Sequence, residues 1–414
     1  MEAFTRRNFI GGLALVGVAT AAVPAEAARA QAATVQAATV QAAPTQAATA
    51  EAAHAPSVQT WQLIGKDVFT GDAAGARGQG VTTDGTHWYF SSSNGLEITD
   101  MQYNVLLDTS PAIPPELADP SALAFKGLNH IGDMDYANGN LYIALDSSTP
   151  DPGSSGGYEN EYNTPVFAIY SAADLTFTGQ ADALNPLNRE HDIASWVAVD
   201  ARKGLAYGMA YVNATQIAVY NLPDFSFNKY IPISQPINEA QGGKIHDGWM
   251  YFSCDDTAKT IARANLTTGE VQVLFYLVVP YPQEVEGLSF LETPQGLTLN
   301  ILNRETPDPN DPSNVTFYHY LLQVPGTPVI DGSPRVGKYL TAYPGKWTPA
   351  ATFSYQWLAN GEPVADATGA RFHLLGKYLR DTVTVQVTGT WADGTSATVE
   401  SAPVQVLPGS GRAR

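Results

Sequence analysis

The chain has 414 residues, 44% hydrophobic and 15% charged, so it can bury large cores and is not disordered throughout. Its formal charge of −18 argues against a nucleic-acid groove, which needs clustered lysine and arginine. The 36 glycines and 28 prolines favour short strands joined by turns, and the single cysteine, Cys254, excludes a disulfide within the chain.

The N-terminus has the pattern of a twin-arginine export signal. Arg6-Arg7 precedes a mildly apolar stretch over residues 11–23, and Ala25–Ala27 and Ala28–Ala30 both fit a small-residue cleavage site. The sequence therefore predicts a signal peptide over residues 1–30 and a secreted protein with no membrane span once the signal is removed. An uncleaved anchor is the alternative. Residues 31–56 repeat Ala, Gln and Thr without an apolar face, which predicts a disordered tether.

Five segments between residues 79 and 297 share one order of features. Each has a polar, glycine-containing opening, a short strand, a turn and an aromatic-rich strand, followed by further strands. Asp84-Gly85, Asn138-Gly139 and Asp247-Gly248 are typical two-residue hairpin turns. Four strands per unit make a propeller blade, so an all-β fold with a five-bladed β-propeller is predicted over residues 57–324. The strand around Trp61–Phe69 is expected to close the ring as the outer strand of the last blade. A six-bladed ring would need another opening segment, and none is found.

The propeller segments resemble a known family. The phrases "HIGDMDYANGNLYIALD", "SWVAVDARKGLAYG", "QGGKIHDGWMYFS" and "EVEGLSF" are similar to a family of secreted bacterial propellers without an assigned activity. The resemblance covers about residues 75–322. It implies the fold and leaves the function open.

A different pattern begins after the Pro/Gly-rich stretch at residues 324–328. Short alternating strands over residues 325–408 predict a small β-sandwich, and residues 409–414 form a tail. The phrases "GKYLTAYPGKWTP", "FSYQWLANGEPV" and "YLRDTVTVQVTG" resemble the immunoglobulin-like (Ig-like) repeat of secreted actinobacterial proteins. Trp357 is expected to be the core tryptophan of this sandwich.

The blade openings are where a ligand site is expected. The first strand of each blade lines the central channel, so residues just before it lie at the channel mouth. We predict catalytic roles for four residues and substrate-binding roles for five, and we expect two of the acids to be metal ligands. The catalytic candidates are His130, Asp133, His191 and Glu286; the substrate-binding candidates are Gln79, Trp196, Glu239, Gln241 and Glu284; the metal candidates are Asp133 and Glu286.

Several chemistries fit this set. Asp133 with Glu286 could cleave a glycosidic bond by acid/base catalysis, and His130 or His191 could abstract a proton as a polysaccharide lyase requires. The same oxygens could hold Ca²⁺, whereas no organic cofactor is expected. Alternatively, the polar groups only satisfy one another. The sequence thus predicts a secreted hydrolase or lyase acting on an extracellular polysaccharide or cell-surface polymer. The alternative is a non-catalytic protein that binds a ligand or glycan, or serves as a scaffold.

Overall fold

A computed structural model describes residues 59–119, 127–184, 194–279, 283–305 and 314–409, with the backbone alone at 148–150 and 160–163. The predicted signal, the tether, His191 and residues 410–414 lie outside these ranges. The described part is all-β, with two short α-helices and one 3-10 turn. None of its helices has the length and apolar character needed to cross a membrane.

The strands before residue 184 form the first two sheets and supply the outer strand of the fifth, and two short helices lie among them. In chain order they are β1 (Thr60–Phe69), α1 (Asp72–Ala76), β2 (Val81–Thr83), β3 (His87–Ser91), β4 (Leu96–Asp100), β5 (Val105–Thr109), α2 (Pro115–Ala118), β6 (His130–Ala137), β7 (Asn140–Pro150), β8 (Asn160–Ser171) and β9 (Phe177–Ala183).

The next eleven strands complete the repeated sheets. They are β10 (Ala198–Asp200), β11 (Leu205–Gly208), β12 (Ala214–Asn221), β13 (Phe227–Ile237), β14 (Ala240–His246), β15 (Trp249–Cys254), β16 (Thr260–Asn265), β17 (Val271–Tyr276), β18 (Gln283–Thr293), β19 (Gly296–Glu305) and β20 (Val315–Gln323).

These strands form repeated four-stranded antiparallel sheets, and the described residues contain five of them. The sheets are β2–β5, β6–β9, β10–β13, β14–β17, and β18–β20 with β1. β1 pairs with β20 from Thr60↔Gln323 to Phe69↔Val315, so the expected role of the N-terminal strand as the outer strand of the last sheet is confirmed. Two of the three predicted two-residue turns are observed, whereas four residues separate the paired Thr83 and Trp88 at Asp84-Gly85. Asn138 with Gly139 and Asp247 with Gly248 have positive φ at both positions, as a type I′ turn requires.

The first strands of the five sheets contact one another in cyclic order. β2 contacts β6, β6 contacts β10, β10 contacts β14, β14 contacts β18, and β18 contacts β2. The hydrophobic core follows the same order, because each of five clusters joins residues of two successive sheets. The apolar faces of one sheet are therefore covered by its two neighbours, and the arrangement is β-propeller-like.

Glycines in the opening segments allow the first strands to approach closely. A Cβ on Gly287 would lie 2.8 Å from Gly80 Cα and 2.6 Å from Asp133 Oδ1, and a Cβ on Gly243 would overlap the Trp196 ring. Only glycine fits at such approaches. These aligned glycines thus close the middle of the ring to a tightly packed axis.

The remaining strands form two sheets over one separate core. They are β21 (Val329–Gly332), β22 (Tyr339–Tyr343), β23 (Thr352–Ala359), β24 (Glu362–Pro363), β25 (Arg371–His373), the 3-10 turn Gly376–Tyr378, β26 (Thr382–Thr390), β27 (Ser396–Glu400) and β28 (Val404–Gln405). β21, β22 and β25 make one sheet, and β23, β24, β26, β27 and β28 make the other. Trp357 is fully buried between them, as the sequence predicted.

Candidate functional site

Strand pairing places a histidine against a buried carboxylate at the start of the second sheet. His130 is the first residue of β6 and pairs across the ladder with Asp146 of β7. His130 Nδ1 lies 3.0 Å from Asp146 Oδ1, and the carboxylate is completely buried while the histidine side chain stays 17% exposed. The histidine is therefore oriented by a buried acid and remains partly exposed.

Two further predicted residues extend this contact across neighbouring sheets. Gln79, just before β2, places Oε1 3.0 Å from His130 Nε2. Its amide nitrogen donates to Glu286 Oε1 at 3.3 Å and to the Gly78 carbonyl at 3.0 Å. Asp146, His130, Gln79 and Glu286 thus form one hydrogen-bonded row, which we call the mouth row, across the second, first and fifth sheets.

Both ring nitrogens of His130 face oxygen atoms, Asp146 Oδ1 and Gln79 Oε1. Burial raises the pKa of Asp146, and the charge and hydrogen bond of His130 oppose that rise. Asp146 Oδ2 is buried and has no hydrogen-bond partner among the described residues. The row therefore places the imidazole of His130, a group that can transfer protons, beside a carboxylate whose Oδ2 has no hydrogen-bond partner among the described residues.

Asp133 lies deeper, at the packed axis. Its Oδ2 accepts from Lys244 Nζ at 2.6 Å and from the Gly243 amide at 3.3 Å, and its Oδ1 accepts from the Val81 amide at 2.9 Å. Asp133 and Lys244 are 1% and 3% exposed. Burial raises the pKa of Asp133 to about 6, while the charge and hydrogen bond of Lys244 work in the opposite direction. The structure thus places this predicted catalytic acid in a buried ion pair that joins the first, second and fourth sheets.

The same contacts bear on the expected calcium ligands. Both oxygens of Asp133 are bonded to amides or to Lys244, and Glu286 accepts from Gln79. Across the part of the chain that is described, no three His, Cys, Asp or Glu side chains are grouped as a metal site. A cation at Asp133 would have to displace Lys244 Nζ from Oδ2, so the oxygens of Asp133 do not fit Ca²⁺.

The other predicted residues are placed as follows. Trp196 is 2% exposed and packs edge-on against Phe252 in the core, which leaves its ring no surface for a ligand. Glu239 and Gln241 are half-buried at the start of β14, with Glu239 at φ +53°. Glu284 lies 3.8 Å from Arg304.

Two residues that matter most to the site were missed by sequence reasoning. Asp146 follows the apolar run Leu141–Leu145 within β7, and Lys244 lies one residue after an aligned glycine. Ser147 of β7 and Asn303 of β19 each have a buried oxygen without a hydrogen-bond partner among the described residues. A polar residue directly after an apolar run in a second strand was the available signal, because antiparallel pairing places that part of the strand beside the start of the first strand.

Comparisons with known proteins give no family. No family model matches the chain, and no curated protein matches it. Similar solved structures include a hydrazine synthase of Kuenenia stuttgartiensis, with a TM-score of 0.32, 10% identity, and coverage of 77% of this chain and 78% of that one. A protein of unknown function from Bacteroides caccae gives a TM-score of 0.32 and 12% identity, covering 56% and 72%. A mitotic checkpoint complex gives 0.30 and 9%, covering 58% and 74%. These likenesses carry no argument about the activity.

Proposed function

We propose that the chain is an exported five-bladed β-propeller followed by an Ig-like sandwich. The cyclic contacts of β2, β6, β10, β14 and β18 support five blades, and the separate core around Trp357 supports a second module over residues 325–408. Arg6-Arg7 supports twin-arginine export to the cell exterior. An extracellular location makes a glycan or cell-surface polymer the natural partner.

The proposed activity is cleavage of an extracellular polysaccharide at the mouth of the propeller. The observation that carries it is the contact of partly exposed His130 with fully buried Asp146. In this proposal a glycosidic oxygen takes the place of Gln79 Oε1 and receives the proton of His130 Nε2 as its bond to the anomeric carbon breaks. In hydrolysis, water supplies the hydroxyl that the anomeric carbon gains. General acid catalysis of that kind contributes about 10²–10⁴-fold to a rate. The leaving oxygen receives a proton in hydrolysis and in elimination alike, so the row fits either a hydrolase or a lyase, and the products distinguish the two.

Glu286 is the proposed carboxylate partner of His130. It is 2% exposed and is tied to the histidine through Gln79, so a ligand that displaces Gln79 reaches both groups. A carboxylate on one side of the sugar and an acid on the other are the two groups that glycosidic cleavage needs. Asp146 is a positioning residue, because it contacts the ring of His130 and holds its orientation.

A polysaccharide panel tests this proposal. Reducing ends report hydrolysis, and the absorbance of unsaturated products reports elimination. His130→Gln and Glu286→Gln should each abolish turnover, whereas His319→Gln should not. His319 is a matched control because it also pairs with an aspartate, Asp67 at 3.0 Å, and is equally exposed, but lies on a third strand of the last sheet. Equal loss in all three variants would refute the assignment, and unsaturated products would move it to a lyase.

A non-catalytic binding protein is the second candidate. The ion pair of Asp133 with Lys244 favours this candidate, because the pair uses a predicted catalytic acid for packing. Under this alternative the panel shows glycan binding without turnover, and His130→Gln lowers affinity only.

A further inference from the structure

The outer face of the three-stranded sheet β21, β22 and β25 carries exposed aromatic and cationic side chains. Strand alternation buries Leu340 and Ala342 and turns Tyr339, Thr341 and Tyr343 to the opposite side. Tyr339 is 51% exposed and Tyr343 is 54% exposed. Tyr339 and Tyr343 therefore present two aromatic rings on the outer face of this sheet.

Two neighbours stack on Tyr339 from the adjoining strand. The His373 ring is parallel to the Tyr339 ring, with centroids 4.5 Å apart and 17° between the planes. The Arg371 guanidinium lies 4.6 Å from the same centroid. β25 pairs with β22 in the register Tyr339↔His373 and Thr341↔Arg371, so the backbone fixes this arrangement. We call Tyr339, Tyr343, Arg371 and His373 the platform.

The guanidinium of Arg371 has unused donors. Among the described residues no hydrogen bond or ion pair occupies it, and its described contact is the Tyr339 ring. A planar guanidinium offers a forked pair of N–H groups that fits a carboxylate. The platform therefore offers rings for stacking and a free cation for an anion at the same place.

We propose that the platform binds a polysaccharide that bears carboxylate groups, a uronate polymer. A sugar ring stacks on Tyr343, and a uronate carboxylate receives the fork of Arg371, which lies against Tyr339. Tyr339 and Tyr343 are four residues apart on one strand, about 14 Å, so an extended polymer is needed to contact both Tyr343 and Arg371. This inference is independent of the activity proposed for the mouth.

One acid shares the outer face with the platform: Asp331 pairs with Thr341, which pairs with Arg371 on its other side, so Asp331 is two strands, about 10 Å, from Arg371. Residues 325–408 contain six Lys or Arg (Arg335, Lys338, Lys346, Arg371, Lys377, Arg380) and six Asp or Glu (Asp331, Glu362, Asp366, Asp381, Asp393, Glu400). This segment is therefore neutral, and the charge of −18 comes from the rest of the chain. At physiological salt the screening length is about 8 Å. The negative charge of the rest of the chain therefore acts weakly on the platform.

Binding of the full-length chain to polygalacturonate and to alginate tests the inference, with fully methyl-esterified polygalacturonate as the uncharged counterpart. The wild type should bind the charged polymers at least about tenfold more tightly than the ester, as expected for a charged hydrogen bond. Arg371→Gln should remove that difference, and Arg371→Lys should restore only part of it. Tyr343→Ala should weaken binding of charged and esterified polymers alike.

Controls separate the platform from the mouth. Lys377→Gln removes another cation of the sandwich that lies over a tyrosine, 4.9 Å from the Tyr378 ring, and should leave binding unchanged. In His130→Gln the difference in affinity between charged and esterified polymers should persist, because Arg371 supplies that difference. The inference is overturned if neither uronate polymer binds, or if Arg371→Gln binds as the wild type does. Binding lost in His130→Gln and kept in Arg371→Gln also overturns it, and assigns the polymer to the mouth.

Discussion

Replacing Lys244 by methionine removes the positive charge from the packed axis while nearly keeping the side-chain length. At 2.6 Å from Asp133 Oδ2, its attraction is about 6 kcal/mol with an effective dielectric constant of about 20. Part of this is offset because the lysine no longer has to be desolvated. Loss of one partner from a buried ion pair costs about 3–5 kcal/mol. We therefore expect Lys244→Met to lower the free energy of unfolding at pH 7 by that amount.

The deficit should depend on pH with a definite sign. Burial raises the pKa of Asp133 from 3.8 to about 6, so the folded chain holds this proton over a range where the unfolded chain has lost it. The contribution of Asp133 to stability therefore falls as pH rises from about 4 to 6, by about 3 kcal/mol. Without Lys244 the pKa rises further. The deficit of Lys244→Met should then shrink as pH falls from 8 to 5, because Asp133 takes up a proton.

Urea unfolding at several pH values, followed by tryptophan fluorescence, measures this. Adding Asp133→Asn to Lys244→Met should recover most of the lost stability. The recovery should be incomplete. Burial raises the pKa of Asp135, the positive charge of Lys244 opposes that rise, and the double variant lacks this charge. A loss below about 1 kcal/mol at pH 7 for Lys244→Met, or a loss that does not change with pH, would refute the reasoning.

Three further expectations concern packing, export and modularity. Gly243→Ala should lower the free energy of unfolding by at least about 1–3 kcal/mol in urea titration, because its Cβ would overlap the Trp196 ring; an unchanged midpoint would contradict the tight axis. Replacing Arg6-Arg7 by two lysines should stop export, judged by intact mass of the secreted protein, and undiminished secretion would remove the twin-arginine assignment. A chain ending at Val324 should stay soluble and unfold cooperatively, and its insolubility beside a well-behaved full chain would indicate a large interface between the modules.

Local pattern was enough for the strands and for the order of the sheets. Hairpin turns such as Asn138-Gly139 and Asp247-Gly248 depend on two adjacent residues, and alternation within a strand depends on its immediate neighbours. The strand around Trp61–Phe69 could be assigned to the last sheet because a ring needs an outer strand there. The sequence also brought His130, Gln79 and Glu286 together, since all three lie at openings of first strands.

Only the tertiary structure decided which of the polar residues face the mouth and which face one another. Asp133 is 111 residues from Lys244, and the sequence around neither residue predicts that they form an ion pair. Asp146 reaches His130 because the hairpin returns it across the ladder, 16 residues later. Trp196 was predicted to bind a ligand, but its ring packs in the core against Gly243, where a side chain would overlap it. Burial and charge compensation depend on the packing of distant strands, so a single sequence specifies the residues of the axis but not their partners.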